Sequence, residues 1–400
     1  MYDAHPAAAD PAPAHYTQAV WQAAELFTGG PLRKLRSKLR LLSTRPYIGR
    51  RAVLFVLIAW LPLLMLTFAQ GTPGRPFLHD IGAFARYALA APLLLAAEAV
   101  CLTVLGRIAQ RFFDLLPAPD ERERYVQTIG SVRRLLGHPL AGLAVVVLAY
   151  ALSGAAHHAV TLSHLPAWYR SSADAAALSP AGWWHALVSL PMLLMLLLGW
   201  LWRLVVWTRF LFLVSRLDLA LVAVHPDRAG GLGFVGYSTA AFAPVAAALG
   251  TIVAGAIANK VVYGGSSLAN EKDALVCVAL LSIALFTAPL LTLSAKLMQT
   301  MRRGAQQYNQ LATAFGHQFE REWFRDEGAA QQQSMLDRGD FSAATDLYQV
   351  VDRVRTLLVV PVQLRGIVLL ALATLLPFVP VSLMVLSFDT VLDALLGLLH

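Results

Sequence analysis

Seven separate stretches of this chain, at 52–70, 84–106, 139–157, 186–207, 238–258, 274–295 and 366–387, are long and apolar. A helix needs about 20 residues to cross a lipid hydrocarbon core, and each stretch is close to that length. Backbone amides in lipid have no water to bond, so each crossing must satisfy its own, which segments of this length do as helices. Short alternating segments of the kind that close a membrane β-barrel are missing. The expected fold class is therefore all-α, a polytopic transmembrane helix bundle of about seven crossings. Composition agrees: 57% hydrophobic against 14% charged residues in 400 positions excludes an ordinary water-soluble globule.

Basic residues orient the bundle. Of 32 Lys and Arg, eight precede the first crossing, six lie in 107–138, four in 203–237 and nine in 296–365. The other faces carry Arg75, Arg86, Arg170, Lys260 and Lys272 alone. Cationic loops resist translocation, so the N-terminus is expected in the cytosol and the C-terminus outside. The net charge of +8 is thereby accounted for by topology, and no nucleic-acid partner is implied. The fifty residues before the first crossing are too long and too basic for a cleaved signal, so that crossing is expected to remain as an anchor.

Four regions follow. Residues 1–51 form a cytosolic segment, with disorder expected through about His15. Beyond it Leu32, Leu35, Leu39 and Leu42 recur at helical spacing among Arg33, Lys34, Arg36, Lys38 and Arg40. Such a basic amphipathic helix suits the anionic lipid headgroups of the inner leaflet; a solvated charge run that only enforces topology is the plainer alternative. Residues 52–295 hold six crossings. In 296–365, Met301, Tyr308, Leu311, Phe315, Phe319 and Trp323 carry the sixth helix into the cytosol to about Arg325. Gly328 and Gln331–Gln333 break it, and a second helix begins near Ser342 with Leu347, Val350, Val354, Leu357 and Leu358 on one face. The two make a cytosolic helical hairpin whose apolar faces need each other, a second copy or a partner protein. Residues 366–400 supply the seventh crossing and a short interfacial helix on the outer leaflet, where Val391, Leu392, Leu395, Leu396 and Leu399 accompany Asp389 and Asp393. No internal repeat is detected among the crossings.

Glu98, within LLLAAEAVC, is the clearest charge inside a crossing. An ionised carboxylate there costs roughly 2.5–3.5 kcal/mol on insertion scales, so it is expected to be paired or protonated. Arg203 is the best-placed partner and Arg209 the next. Registration of helices by an ion pair and an ion or proton pathway are both open readings. Six crossings contain proline (Pro62, Pro92, Pro191, Pro244, Pro289, and Pro377 with Pro380), which kinks a helix and frees a carbonyl. Gly250 and Gly255 make the fifth crossing a surface for close helix packing.

The segment LDLALVAVHPDRAGGLGFVG, 217–236, is the most distinctive. A helix leaving the membrane through an interfacial group of Trp200, Trp202 and Trp207 is expected to end at His225-Pro226. Gly230, Gly231 and Gly233 then permit backbone shapes closed to other residues. His225, Asp227 and Arg228 suit either a turn that fastens neighbouring helices or a ligand or gating site. The glycines lack the Lys-Ser/Thr of a phosphate loop, so no nucleotide cofactor is implied. With the later DFSAATDLYQVVDRVRTLLVVP, this HPDRAGGLGF stretch resembles an uncharacterised group of bacterial multi-pass membrane proteins. The likeness covers roughly the second half of the chain, implies a bacterial inner-membrane location, and carries no activity.

His79, His157, His158, His164 and His185 gather at outer helix ends or loops. Metal binding or external pH sensing is one reading, histidines at an interface with no ligand the other. His317 and Glu320 share a helix face at a spacing seen in carboxylate metal sites, with a solvated pair the simpler account. Cys101 and Cys277 read as small buried hydrophobes. Zinc-protease, nucleophile-elbow and phosphate-loop motifs are absent, which disfavours an enzyme. The expected function is a transporter or channel-like protein for a small solute or ion, with the His225–Gly233 loop as a gate; a non-transporting scaffold or sensor acting through the hairpin is the alternative.

Overall fold

The computed structural model describes residues 23, 26–27, 46–70, 75–159, 166–170, 177–264, 267–324 and 340–385. Ten helices organise them: α1 (Ile48–Ala69), α2 (Ile81–Leu115), α3 (Pro119–Leu136), α4 (Pro139–Ala159), α5 (Pro180–Ser215), α6 (Gly233–Val262), α7 (Lys272–Arg321), α8 (Asp340–Arg355), α9 (Leu364–Leu375) and α10 (Phe378–Val385). The described residues contain no strand, only one isolated bridge between Arg170 and Leu178. Six helical stretches are long and apolar enough to span a membrane, and seven if α9 and α10 count as one. Their apolar exteriors, at Val53, Leu89, Val147, Leu187, Leu280 and Leu372, form a lipid-facing belt.

The expected seventh crossing is a bent pair: α9 and α10 meet at 41°. Pro377 sits at the break, where its missing amide and its ring both interrupt helical bonding. Close packing decides the centre of the bundle. α6 lies against α2 on one side and α9 on the other, and its small residues permit both approaches. A β-carbon added at Gly250 would collide with the Thr374 carbonyl of α9, and one at Gly255 with the Ala85 methyl of α2.

Helix length builds a second layer. α2 and α5, at 35 and 36 residues, run about 53 Å, some 20 Å more than a hydrocarbon core of about 30 Å. The 50 residues of α7 run about 75 Å. At the basic end these helices pack with α3, the 216–236 segment and α8. This layer has an aromatic core: Phe112 lies 5.9 Å from Phe210 and 5.2 Å from Phe234, and Trp207 stacks on Phe210 at 5.5 Å. Phe27, from the N-terminal segment, inserts edge-on against Trp207 at 5.4 Å. The Tyr125 hydroxyl of α3 donates to the Ala109 carbonyl of α2.

Several local expectations are corrected. Trp200 and Trp207 are buried in the bundle, because α5 overshoots the interface they were expected to mark. The helix they sit on stops at Ser215, and the chain from Arg216 to His225 is irregular. Ser342 lies inside α8, which begins at Asp340. Cys101 is buried, but Cys277 is exposed on the outside of α7. The basic run 33–40, His164, the polar break at 328–333 and the short C-terminal helix all lie outside the described residues.

Candidate functional site

Glu98 is held by two arginines. Arg203 Nη2 donates to Oε1 at 2.7 Å, and Arg51 Nη1 donates to Oε2 at 2.7 Å. All three side chains are sequestered, at 10%, 4% and 14% exposure for Glu98, Arg203 and Arg51. One carboxylate between two guanidiniums leaves one net positive charge, and Arg203 sheds part of that burden over the Trp200 ring at 5.0 Å. Arg209 takes no part: its Nη2 turns to Ser131 Oγ at 3.3 Å. Arg51 belongs to the first turn of α1, so the cluster ties the start of α1 to the middle of α2. Beside the cluster Trp200 Nε1 donates to the Leu94 carbonyl at 3.0 Å and its ring meets Phe242 edge-on at 6.4 Å.

The HPDRAGGLGF loop is organised by one carboxylate. Asp227 Oδ1 accepts from the amides of Ala229 at 2.8 Å and Gly231 at 3.1 Å, and Oδ2 accepts from Gly233 at 2.8 Å. His225 Nδ1 lies 2.7 Å from Oδ1. Burial pushes the Asp227 carboxyl up, but those three amides and the His225 ring outweigh it and hold the group below its ordinary range. The loop must coil tightly to aim three amides at one side chain. Arg228, Gly230 and Gly231 accordingly adopt φ of 55°, 64° and 98°, and a β-carbon on Gly233 would press on Asp227 at 2.9 Å.

The loop is then strapped to its surroundings. The Arg228 carbonyl accepts from Leu358 N at 2.7 Å, Gln363 Nε2 donates to the Gly233 carbonyl at 2.9 Å, and Lys296 Nζ donates to the Leu217 carbonyl at 2.9 Å. It joins α7, the α8–α9 connection and the 216–236 segment, a fastening geometry in which the Asp227 carboxylate is already used. A cleft of about 480 Å³ lies beside it, with Arg111, Asp114, His225, Tyr237 and Gln363 on its walls. In the hairpin, His317 Nδ1 and Glu320 Oε2 stand 3.8 Å apart and both are exposed. No group of three or more metal-ligating side chains occurs among the described residues.

Sequence reasoning missed a polar cavity at the opposite end. About 360 Å³ in volume, it is lined by residues of α2, α4, α5, α6 and the 166–170 segment, including Asp80, Arg86, His157, Trp168, His185 and Asn259. Two π turns border it, Ala85–Ala90 in α2 and His185–Ser189 in α5. Each has one cause. Pro92 and Pro191 cannot donate and exclude the carbonyl a turn behind, so the preceding turn widens. The Ala91 amide then bonds the Arg86 carbonyl, and the Leu190 amide bonds the His185 carbonyl.

Most of the cavity's polar atoms are paired. His185 Nε2 meets the Tyr87 hydroxyl at 2.8 Å and Nδ1 meets the Tyr169 hydroxyl at 2.5 Å. A neutral imidazole donates through one nitrogen and accepts through the other, so it satisfies both phenols. Burial pushes the Tyr169 phenol up to about 12 against the opposing Arg86 charge, which keeps its proton in place. Asp80 accepts from Ala83 N at 2.8 Å, Asn259 Nδ2 at 2.8 Å and Trp168 Nε1 at 3.1 Å. The readable signal was a shared spacing: Arg86 and His185 each stand six residues before a proline near the start of an apolar run. Comparison with protein-family models, with curated proteins and with solved structures finds no match to this chain.

Proposed function

We propose that this integral membrane protein is a non-transporting sensor or scaffold of a bacterial inner membrane, with its basic end in the cytosol. The observation that carries the reading is the pairing of both Glu98 oxygens, by Arg51 and Arg203 at 2.7 Å each, among side chains no more than 14% exposed. A carboxylate that serves a proton or ion pathway has to exchange partners with water or cargo, and this one sits in a closed cluster that fixes three helices.

The output surface is the hairpin. α7 runs from Lys272 at one end of the bundle, through a 3₁₀ stretch at Ala288–Leu293, to the hairpin at the other, so it links the two sides mechanically. Leu311 and Tyr348 remain exposed on the hairpin, which suits a protein partner or a second copy. The basic N-terminal segment, in this reading, rests on anionic headgroups of the cytosolic leaflet.

Flux through proteoliposomes containing the purified chain tests the reading. Proton- and cation-sensitive dyes are expected to report no more flux than protein-free vesicles under an imposed gradient. Gradient-dependent flux that disappears in Glu98→Gln would overturn it and restore a transport role for the cluster.

A further inference from the structure

We propose that the cavity between the two π turns binds a small organic monocarboxylate. The case rests on what is left over once its internal bonds are counted. Asp80, Tyr87, Tyr169, His185 and Asn259 are occupied with one another or with backbone, as described above. Two wall residues are not. Arg86 Nε and His157 Nδ1 are closed off from solvent and have no hydrogen-bond partner. Arg86 forms no ion pair among the described residues, and its guanidinium lies 6.0 Å from the Tyr87 ring centroid.

Arg86 as a whole is half-buried, but a sequestered N–H donor such as its Nε is costly without an acceptor, which a ligand in the cavity would supply. Asp80 balances the charge of Arg86 but spends its oxygens on three other donors, so the Arg86 Nε–H still lacks an acceptor, and an anion supplies one that carries charge. A guanidinium edge matches a planar group with two oxygens, which selects carboxylate geometry. Asp80 on the same wall sets an upper bound on charge, because its carboxylate repels a dianion more than a monoanion. At about 360 Å³ the space is at the small end of ligand cavities, about 300–1,000 Å³. Trp168, Leu190 and Ala256 give it apolar walls suited to a short hydrocarbon or aromatic tail.

The π turns add an independent reason. Single π turns are rare and concentrate at functional sites. Here two of them border the same cavity and present Arg86, Tyr87 and His185 from parallel positions on α2 and α5. The site stands independently of the reading of the bundle as non-transporting, since binding in detergent does not depend on flux.

The test uses the full chain in detergent, with acetate, propionate and benzoate as probes and acetamide and propionamide as uncharged controls at matched ionic strength. Calorimetry and thermal unfolding are expected to show saturable binding of a carboxylate and none of the amides. Loss of a charge-assisted pair weakens binding by about tenfold or more, which is the change expected of Arg86→Gln, with Arg209→Gln binding like the parent. No saturable carboxylate binding, equal binding of the amides, or unchanged affinity in a folded Arg86→Gln overturns the proposal. If Arg86→Gln does not fold, His157→Ala decides: a loss of about threefold or more supports the site, and unchanged affinity removes it.

Discussion

Arg203 on α5 donates to Glu98 on α2 at 2.7 Å, and it does so as the more deeply buried partner, 4% exposed against 10%. Arg51 brings α1 to the same carboxylate. The cluster sits where the lipid-facing belt gives way to the aromatic layer, so it registers three helices at one level. Its value to the fold lies in mutual dependence, since any one member removed leaves the others buried without balance.

Glu98→Gln is therefore expected to destabilise the bundle by about 3 kcal/mol, because two guanidiniums lose their shared acceptor. Arg203→Met in addition should cost less than the sum of the single changes, since it removes one of the stranded charges. A double-mutant cycle from unfolding in detergent measures the coupling. Strict additivity would show that the two side chains do not depend on each other.

Asp227→Asn should loosen the HPDRAGGLGF loop at a cost of about 2 kcal/mol, because an amide cannot accept from three backbone donors through two charged oxygens. Faster hydrogen exchange at Ala229, Gly231 and Gly233 is the direct readout. Asp227 also sets a pH dependence. Its folded-state value is depressed, so its contribution is present above the unfolded value of about 3.9 and is lost as pH falls through the lower folded value. The same amides should exchange faster in acid and be indifferent to pH between 5 and 8 once intrinsic exchange is corrected for; loosening across pH 5 to 8 would show that Asp227 does not set the dependence.

Two glycines should respond in opposite senses to alanine. Gly250→Ala drives a methyl into the Thr374 carbonyl across the α6–α9 contact, and overpacking of that kind costs about 1–3 kcal/mol. Gly130, in the middle of α3, has open space where its β-carbon would go, so Gly130→Ala should stabilise by about 0.5–1 kcal/mol. Thermal midpoints of the two variants in the same detergent check both signs.

Tyr87→Phe leaves His185 Nε2 facing an apolar ring edge. An unsatisfied buried nitrogen costs about 1–3 kcal/mol, and here it also frees the ring next to Arg86 from its anchor on α5. The expected result is a lower unfolding midpoint together with weaker carboxylate binding. A midpoint equal to that of the parent would mean that the Tyr87–His185 bond contributes nothing to the site.

Number and type of spanning helices were legible because apolar length is a one-dimensional property that a lipid environment converts directly into helix. Pairing of Glu98 with Arg203 was legible for a related reason: few charges are tolerated in a crossing, so the choice of partner is small. Arg51 was missed because it stands outside the apolar run, at a level that depends on where α1 meets α2. Arg86 was counted only as a stray outer charge, and the outer histidines were read as a group, although His185 pairs with two tyrosines and His79 lies elsewhere, at the edge of Tyr263.

By itself the sequence determined an all-α membrane bundle with a basic end, helix breaks at prolines, and a glycine-rich turn after His225-Pro226. These follow from local chemistry: hydropathy over about 20 residues, a missing amide, a permitted φ. Tertiary structure alone decided that α2 and α5 overshoot the belt, that both Glu98 oxygens are taken, and that two π turns border one cavity. Each of those depends on which helix faces which and at what depth. Close packing and the pairing of buried charge settle that relation, and both act between residues far apart in the chain.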